Sequence, residues 1–176
     1  MKKIVIGLLS IALLMLTLVS CGNKGEVPKG MQLASNTDIV DYKLFVPEEW
    51  TVDRRSDFTS SVAFASDHSS ISVSQWNLTD STRNYDTWWT NEFKPELEYI
   101  LHNPTIISEG DEIQIDGTDS KKYVYTGETR EGKYKFMTVA TIRQGSIYVI
   151  TYTSTEELYD KHINEVNKIL ENIKFK

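Results

Sequence analysis

The sequence predicts an α+β fold with a mainly antiparallel sheet, and three observations carry that prediction. Residues 134–153 form two long strand-like arms around Gln144-Gly145, dense in β-branched and aromatic residues. The arms are apolar on both faces, with Phe136, Ala140 and Ile142 on one and Met137 and Val139 on the other. That pattern belongs to strands in the middle of a sheet covered on both sides. Two stretches with helical apolar spacing, one in 84–103 and one in 158–173, can supply the two covers.

The remaining elements follow in chain order. Residues 41–46 predict a first strand with Tyr42, Leu44 and Val46 on one side, ended by the turn Pro47-Glu48-Glu49. Strands follow at 50–53, 62–65 and 70–78, the last alternating Ile71, Val73 and Gln75 against Ser70, Ser72, Ser74 and Trp76. In 84–103, Tyr85, Trp88, Trp89, Phe93, Leu97, Ile100 and Leu101 recur at helical spacing, and Pro95 should kink or split the helix near Phe93. Asn103-Pro104 ends it. Residues 105–108 and 112–115 are extended, Asp116-Gly117 is a tight-turn signal, and 121–126 is a strand that Arg130-Glu131-Gly132 turns into the central hairpin. Ser154-Thr155-Glu156-Glu157 fits a capping box opening the last helix, whose stripe is Leu158, His162, Ile163, Val166, Ile169, Leu170 and Ile173.

The N-terminus has a different composition. Met1-Lys2-Lys3 is followed by a run, 4–18, that is apolar but for Gly7, Ser10 and Thr17. Its length suits a signal-peptide core and is short for a spanning helix. It ends in Leu18-Val19-Ser20-Cys21, which resembles the bacterial lipobox. Small residues precede the cut, and the thiol that follows is the nucleophile that takes the lipid. The cysteine count agrees, because Cys21 is the one cysteine of the chain and no intramolecular disulfide is possible. The expected organisation is a lipoprotein signal peptide at 1–20, a polar tether at 21–37 beginning with lipidated Cys21, and one folded domain at 38–176. This places the domain on the extracytoplasmic face of a cell membrane, held by the lipid on Cys21.

Charge narrows the partners. The formal net charge is −6; without Lys2 and Lys3 the 19 basic residues become 17 against 25 acidic ones, a net −8. That balance disfavours nucleic acid and gives no electrostatic attraction to an anionic bilayer.

Three segments carry a family resemblance. They are Tyr42-Lys43-Leu44-Phe45-Val46-Pro47-Glu48-Glu49-Trp50, then Asp116-Gly117 with Lys122-Tyr123-Val124-Tyr125, then Ala140-Thr141-Ile142 with Gly145-Ser146-Ile147-Tyr148-Val149-Ile150-Thr151. In order and spacing the set resembles the PsbP family over about 41–175. The resemblance implies an α-β-α sandwich around an antiparallel sheet. It does not carry photosystem binding across, because a lipobox stands where a thylakoid-targeting segment would be, and it transfers no metal site.

Chemistry-bearing patterns are sparse. His68 lies in a serine-rich turn beside Asp67, His102 near the expected helix C-terminus, and His162 on the apolar stripe, read as a satisfied, half-buried histidine. No two of them have metal-ligand spacing. Asp111, Glu112, Asp116 and Asp119 lack the ligand order of a calcium loop. Nucleophile and phosphate-loop motifs are missing, so no catalytic residue, cofactor or metal ligand is assigned. Adjacent Trp88 and Trp89 should diverge by about 100° on a helix. Trp89 then joins Tyr85 and Phe93 in the core, while Trp88 or Trp76 could mark a partner patch. The function expected is a non-enzymatic, membrane-anchored lipoprotein that binds or helps assemble another envelope component. The alternative is an envelope receptor for a small molecule.

Overall fold

A computed structural model of the chain describes residues 27–54, 60–79 and 83–176. Its main sheet has seven strands: β4 (Thr51–Asp53), β5 (Ser61–Phe64), β6 (Ser70–Asn77), β7 (His102–Ile115), β8 (Thr118–Thr129), β9 (Gly132–Arg143) and β10 (Ser146–Thr155). Their spatial order is β4-β5-β6-β10-β9-β8-β7, and every neighbouring pair is antiparallel. The β9–β10 hairpin therefore lies at the centre, with β10 the middle strand, as its two-sided apolar pattern predicts. Gln144 and Gly145 both have positive φ, 51° and 80°, which matches a two-residue turn to the twist of the strands. Asp116 and Gly117, at 47° and 74°, repeat the device between β7 and β8.

One face of the sheet is covered by a helix in three parts. They are α1 (Tyr85–Trp88), a π-helical turn (Trp89–Phe93) and α2 (Lys94–Ile100). The Asn84 side chain caps it by accepting from the Thr87 N–H at 2.9 Å. The wide turn falls where Pro95 was expected to disturb the helix, because its ring crowds the carbonyl four residues back. Two expectations are corrected. Trp88 does not diverge to the surface: Trp88 and Trp89 are both buried in one cluster with Leu97, Leu101, Tyr123, Tyr125, Ala140, Ile147 and Val149. An apolar helix face is itself about 100° wide, so adjacent residues can share it. The helix also stops at Ile100, and Asn103-Pro104 lies inside β7, where a proline is tolerated because β7 is an edge strand.

The opposite face carries α3 (Ile163–Asn172), which buries Val166, Ile169 and Leu170. Beside it runs an N-terminal ribbon of β1 (Met31–Leu33), β2 (Tyr42–Lys43) and β3 (Phe45–Pro47). β1 pairs with β3, and β2 pairs with a short C-terminal strand, β11 (Lys174–Phe175). Here the tether reading needs correcting at its end. Met31, Ala34 and Ser35 are buried, and Ser35 Oγ donates to the Tyr42 carbonyl and accepts from the Leu44 N–H, both at 3.1 Å. The packed domain thus takes in part of 21–37, because β3 offers β1 a ladder and the core offers Met31 a place. The capping box is also overturned. Ser154 and Thr155 are the last residues of β10, paired with Lys135 and Tyr134, so the strand ladder claims them. α3 begins at Ile163 without a side-chain cap.

Candidate functional site

The residue assigned to lipid, Cys21, lies outside the described residues. Among those described, a linked set of charged side chains surrounds His162, at the N-terminal end of α3. A 3-10 turn (Tyr159–Lys161) places Lys161 and His162 in succession. Across from them the β5–β6 turn holds Asp67 still: its Oδ1 accepts from the Ser69 N–H at 3.2 Å, beside His68 at a φ of 69°. His162 Nε2 is 2.8 Å from Asp67 Oδ2, and Nδ1 is 2.8 Å from Glu165 Oε2. Lys161 Nζ donates to the same Asp67 oxygen at 2.7 Å, and Trp50 Nε1 to the same Glu165 oxygen at 3.0 Å. The Trp50 and His162 rings meet edge-on at 5.8 Å.

Both imidazole nitrogens face carboxylate oxygens, an arrangement in which only the doubly protonated ring donates to both. Burial of its 9 % exposed side chain pushes the histidine's pKa down, but the hydrogen bonds to Asp67 and Glu165 outweigh that and hold it above the ordinary value. Burial likewise pushes the Asp67 carboxyl up, and the bonds from Lys161, His162 and Ser69 overcome it, leaving the group well below the usual carboxylate range. In this arrangement the ring has no free nitrogen to act as a base. Its two carboxylates lie on opposite sides, so the three side chains do not converge on one cation. Among the described residues no group of three His, Cys, Asp or Glu side chains is arranged to hold a metal ion. What the cluster can do is clamp: it ties the β5–β6 turn and Trp50 to the head of α3.

A second feature is an open groove of about 420 Å³ lined by Tyr85, Glu112, Ile113, Gln114, Asp119, Ser120 and Lys121. Its polar groups mostly satisfy one another. Tyr85 OH donates to the Asp119 carbonyl at 2.5 Å and accepts from the Ile142 N–H at 3.0 Å. Lys121 pairs with Glu112 at 3.3 Å, and Gln114 Nε2 donates to Asp119 Oδ1 at 3.1 Å.

The other sequence candidates separate. His68 and His102 are both exposed, His102 directly after the C-cap residue Leu101 of α2 and at the start of edge strand β7. The acidic cluster is dispersed into local pairs: Asp111 with Lys122, Glu112 with Lys121, Asp116 with Lys174. Trp76 is 47 % exposed and remains a surface aromatic, whereas Trp88 is core. The Asp67–His162–Glu165 set was not legible as a unit. The spacing of His162 and Glu165, three apart, is a local signal, but Asp67 is 95 residues away.

No family model and no curated protein sequence matches the chain. Solved structures do. Cyanobacterial PsbP from Synechocystis superposes with a TM-score of 0.59 at 13 % identity, covering 90 % of this chain and 99 % of that one. The Saccharomyces cerevisiae Ran-binding protein Mog1p gives 0.57 at 12 %, covering 82 % and 95 %. LpqN, involved in cell envelope biogenesis of Mycobacterium tuberculosis, gives 0.55 at 16 %, covering 77 % and 83 %. At such identities the likeness speaks to fold alone, and the fold is PsbP-like and Mog1-like, a mainly antiparallel sheet with a few helices.

Proposed function

We propose that this chain is a non-enzymatic bacterial lipoprotein, anchored through a lipid on Cys21 to the extracytoplasmic face of a membrane. Its domain, a three-layer α-β-α sandwich, binds or helps assemble another envelope protein. The observation that carries the proposal is Leu18-Val19-Ser20-Cys21 after a basic start and an apolar run, at the head of a PsbP-like domain. The envelope role of LpqN, which shares the fold, supports it. Among the described residues no helix is long and apolar enough to cross a membrane, so an anchor of this domain would come from outside them. A diacylglyceryl group supplies two chains of membrane affinity.

Expression in a bacterial host tests the anchor. The mature protein should start at Cys21, carry the mass of a diacylglyceryl group and partition into detergent, and Cys21→Ser should abolish all three. A soluble mature form with an unmodified Cys21 would overturn the proposal. Cross-linking in native membranes tests the partner: one envelope protein should co-purify reproducibly. The second reading, a small-molecule receptor, rests on the groove beside Tyr85. A small molecule that co-purifies with no protein, and is lost on filling the groove from its exposed edge with Gln114→Trp, would replace the partner reading.

A further inference from the structure

The charged cluster around His162 has a consequence independent of any partner. The imidazolium sits at the N-terminal end of a helix and is nearly buried, two circumstances that disfavour positive charge. The groups facing it reverse the balance. From the β5–β6 turn comes Asp67, from α3 Glu165, and from the 3-10 turn Lys161, whose like charge is spent on Asp67 and is 55 % exposed to screening solvent. The Trp50 indole N–H is neutral and bonds Glu165, and the hydroxyls of Ser69 and Ser154, 2.8 Å apart, close the same corner without charge. Tyr152, on β10, donates its phenol hydrogen bond to the Tyr159 carbonyl. Two carboxylates at 2.8 Å from the two ring nitrogens therefore decide the state of the ring. A neutral ring could donate to only one of them and would turn a lone pair toward the other.

We propose that His162 is a pH-sensitive latch: with its proton it ties the β5–β6 turn and Trp50 to the head of α3, and on losing that proton it loosens the turn while the sheet stays folded. The group gains its partners on folding, so its stabilisation is full below the unfolded value of about 6.5 and is lost as pH rises through the higher folded value. The latch thus opens on the alkaline side. The turn it frees carries His68 at its exposed tip.

Proton and nitrogen NMR of the full-length protein tests this. The three imidazoles are followed from about pH 5 to about pH 9, a range that brackets an ordinary histidine. The His162 midpoint should lie above about 6.5. The Trp50 Nε1–H and Ser69 N–H signals should move with that same midpoint, and the protection of the Ser69 amide, relative to its intrinsic exchange rate at each pH, should fall above it. The amides of Ile150 and Val139, in the sheet centre, should stay protected. Asp67→Asn removes one carboxylate while keeping a hydrogen-bonding side chain, and should lower the His162 midpoint with the Trp50 shift following it. A wild-type midpoint at or below about 6.5, Trp50 and Ser69 signals that ignore the titration, or an unmoved midpoint in Asp67→Asn would each overturn the latch.

Discussion

Under α1 and α2 the sheet is held by rings. Trp89 stacks on Tyr123 with centroids 4.1 Å apart and planes at 12°, Tyr125 stacks on Phe136 at 5.0 Å, and Trp88 lies 4.8 Å from Phe93. Polar tips are tied off locally: Trp89 Nε1 donates to Glu109 at 2.6 Å, and Tyr125 OH pairs with Thr138 at 3.1 Å. Burial pushes the Tyr125 phenol up to about 12, so that hydroxyl stays neutral near neutral pH. Under α3 the packing is mostly aliphatic, with Ile71, Val73, Val139 and Ile150 against Val166, Ile169 and Leu170, and a charged clamp closes its rim at His162. Two faces of one sheet thus answer to different variables. The ring-packed face depends mainly on the fit of its rings, and the other depends on packing and on the proton of His162.

The contrast can be broken most strongly at Trp89. Trp89→Ala should cost roughly 3–5 kcal/mol, the range for deleting a buried large aromatic. The loss, read from urea denaturation, should be the same on both sides of the His162 midpoint. A cost below about 1 kcal/mol would mean that the rings do not hold this face. Next comes overpacking at Gly127, where an added Cβ would sit 2.8 Å from Leu101 Cδ1 and 2.9 Å from Leu101 Cβ. Gly127→Ala should cost roughly 1–3 kcal/mol, and an Ala variant as stable as wild type would show that Leu101 moves aside freely.

Acid should weaken the Asp67 clamp. Asp67 has a depressed folded pKa, so its contribution is present above the unfolded value of about 3.9 and is lost as pH falls through the folded one. In Asp67→Asn this acid arm should be shallower than in wild type, while Trp89→Ala should keep it. Smallest of all is the coupling between faces. Trp89→Ala and Asp67→Asn should be additive within about 0.5 kcal/mol, since they share no partner; a larger coupling would join the faces into one unit.

Much of this architecture was legible in the residues. The alternation 136/140/142 against 137/139 named the two faces of β9 correctly, and Gln144-Gly145 and Asp116-Gly117 marked turns that do take positive φ. Pro95 announced the disturbed helix. Other parts were not legible, each for a physical reason. Met31-Gln32-Leu33 is too short for a period and becomes a strand because Phe45–Pro47 lies beside it. β7 reads as two pieces because bulges interrupt its register with β8, one of them at Gly110, where φ is 78°. Ser154 to Glu157 has the letters of a capping box, yet the ladder to Tyr134 and Lys135 satisfies that backbone first. Nor did His162 reveal its second carboxylate.

Residue order alone was enough for the strand periods, the turn chemistry, the helix spacing and the proposed lipid acceptor at Cys21. These depend on neighbours within a few positions, where backbone geometry sets which way a side chain points. Tertiary structure decided that β6 flanks β10, that the N-terminal ribbon closes against β11, and that Asp67 meets His162 across 95 residues. Such contacts carry a loop-closure cost that grows only slowly with separation, so many distant pairings are affordable and local sequence cannot rank them. Shared burial selects among them: the clamp exists because packing α3 on the sheet brings its first turn against the β5–β6 corner.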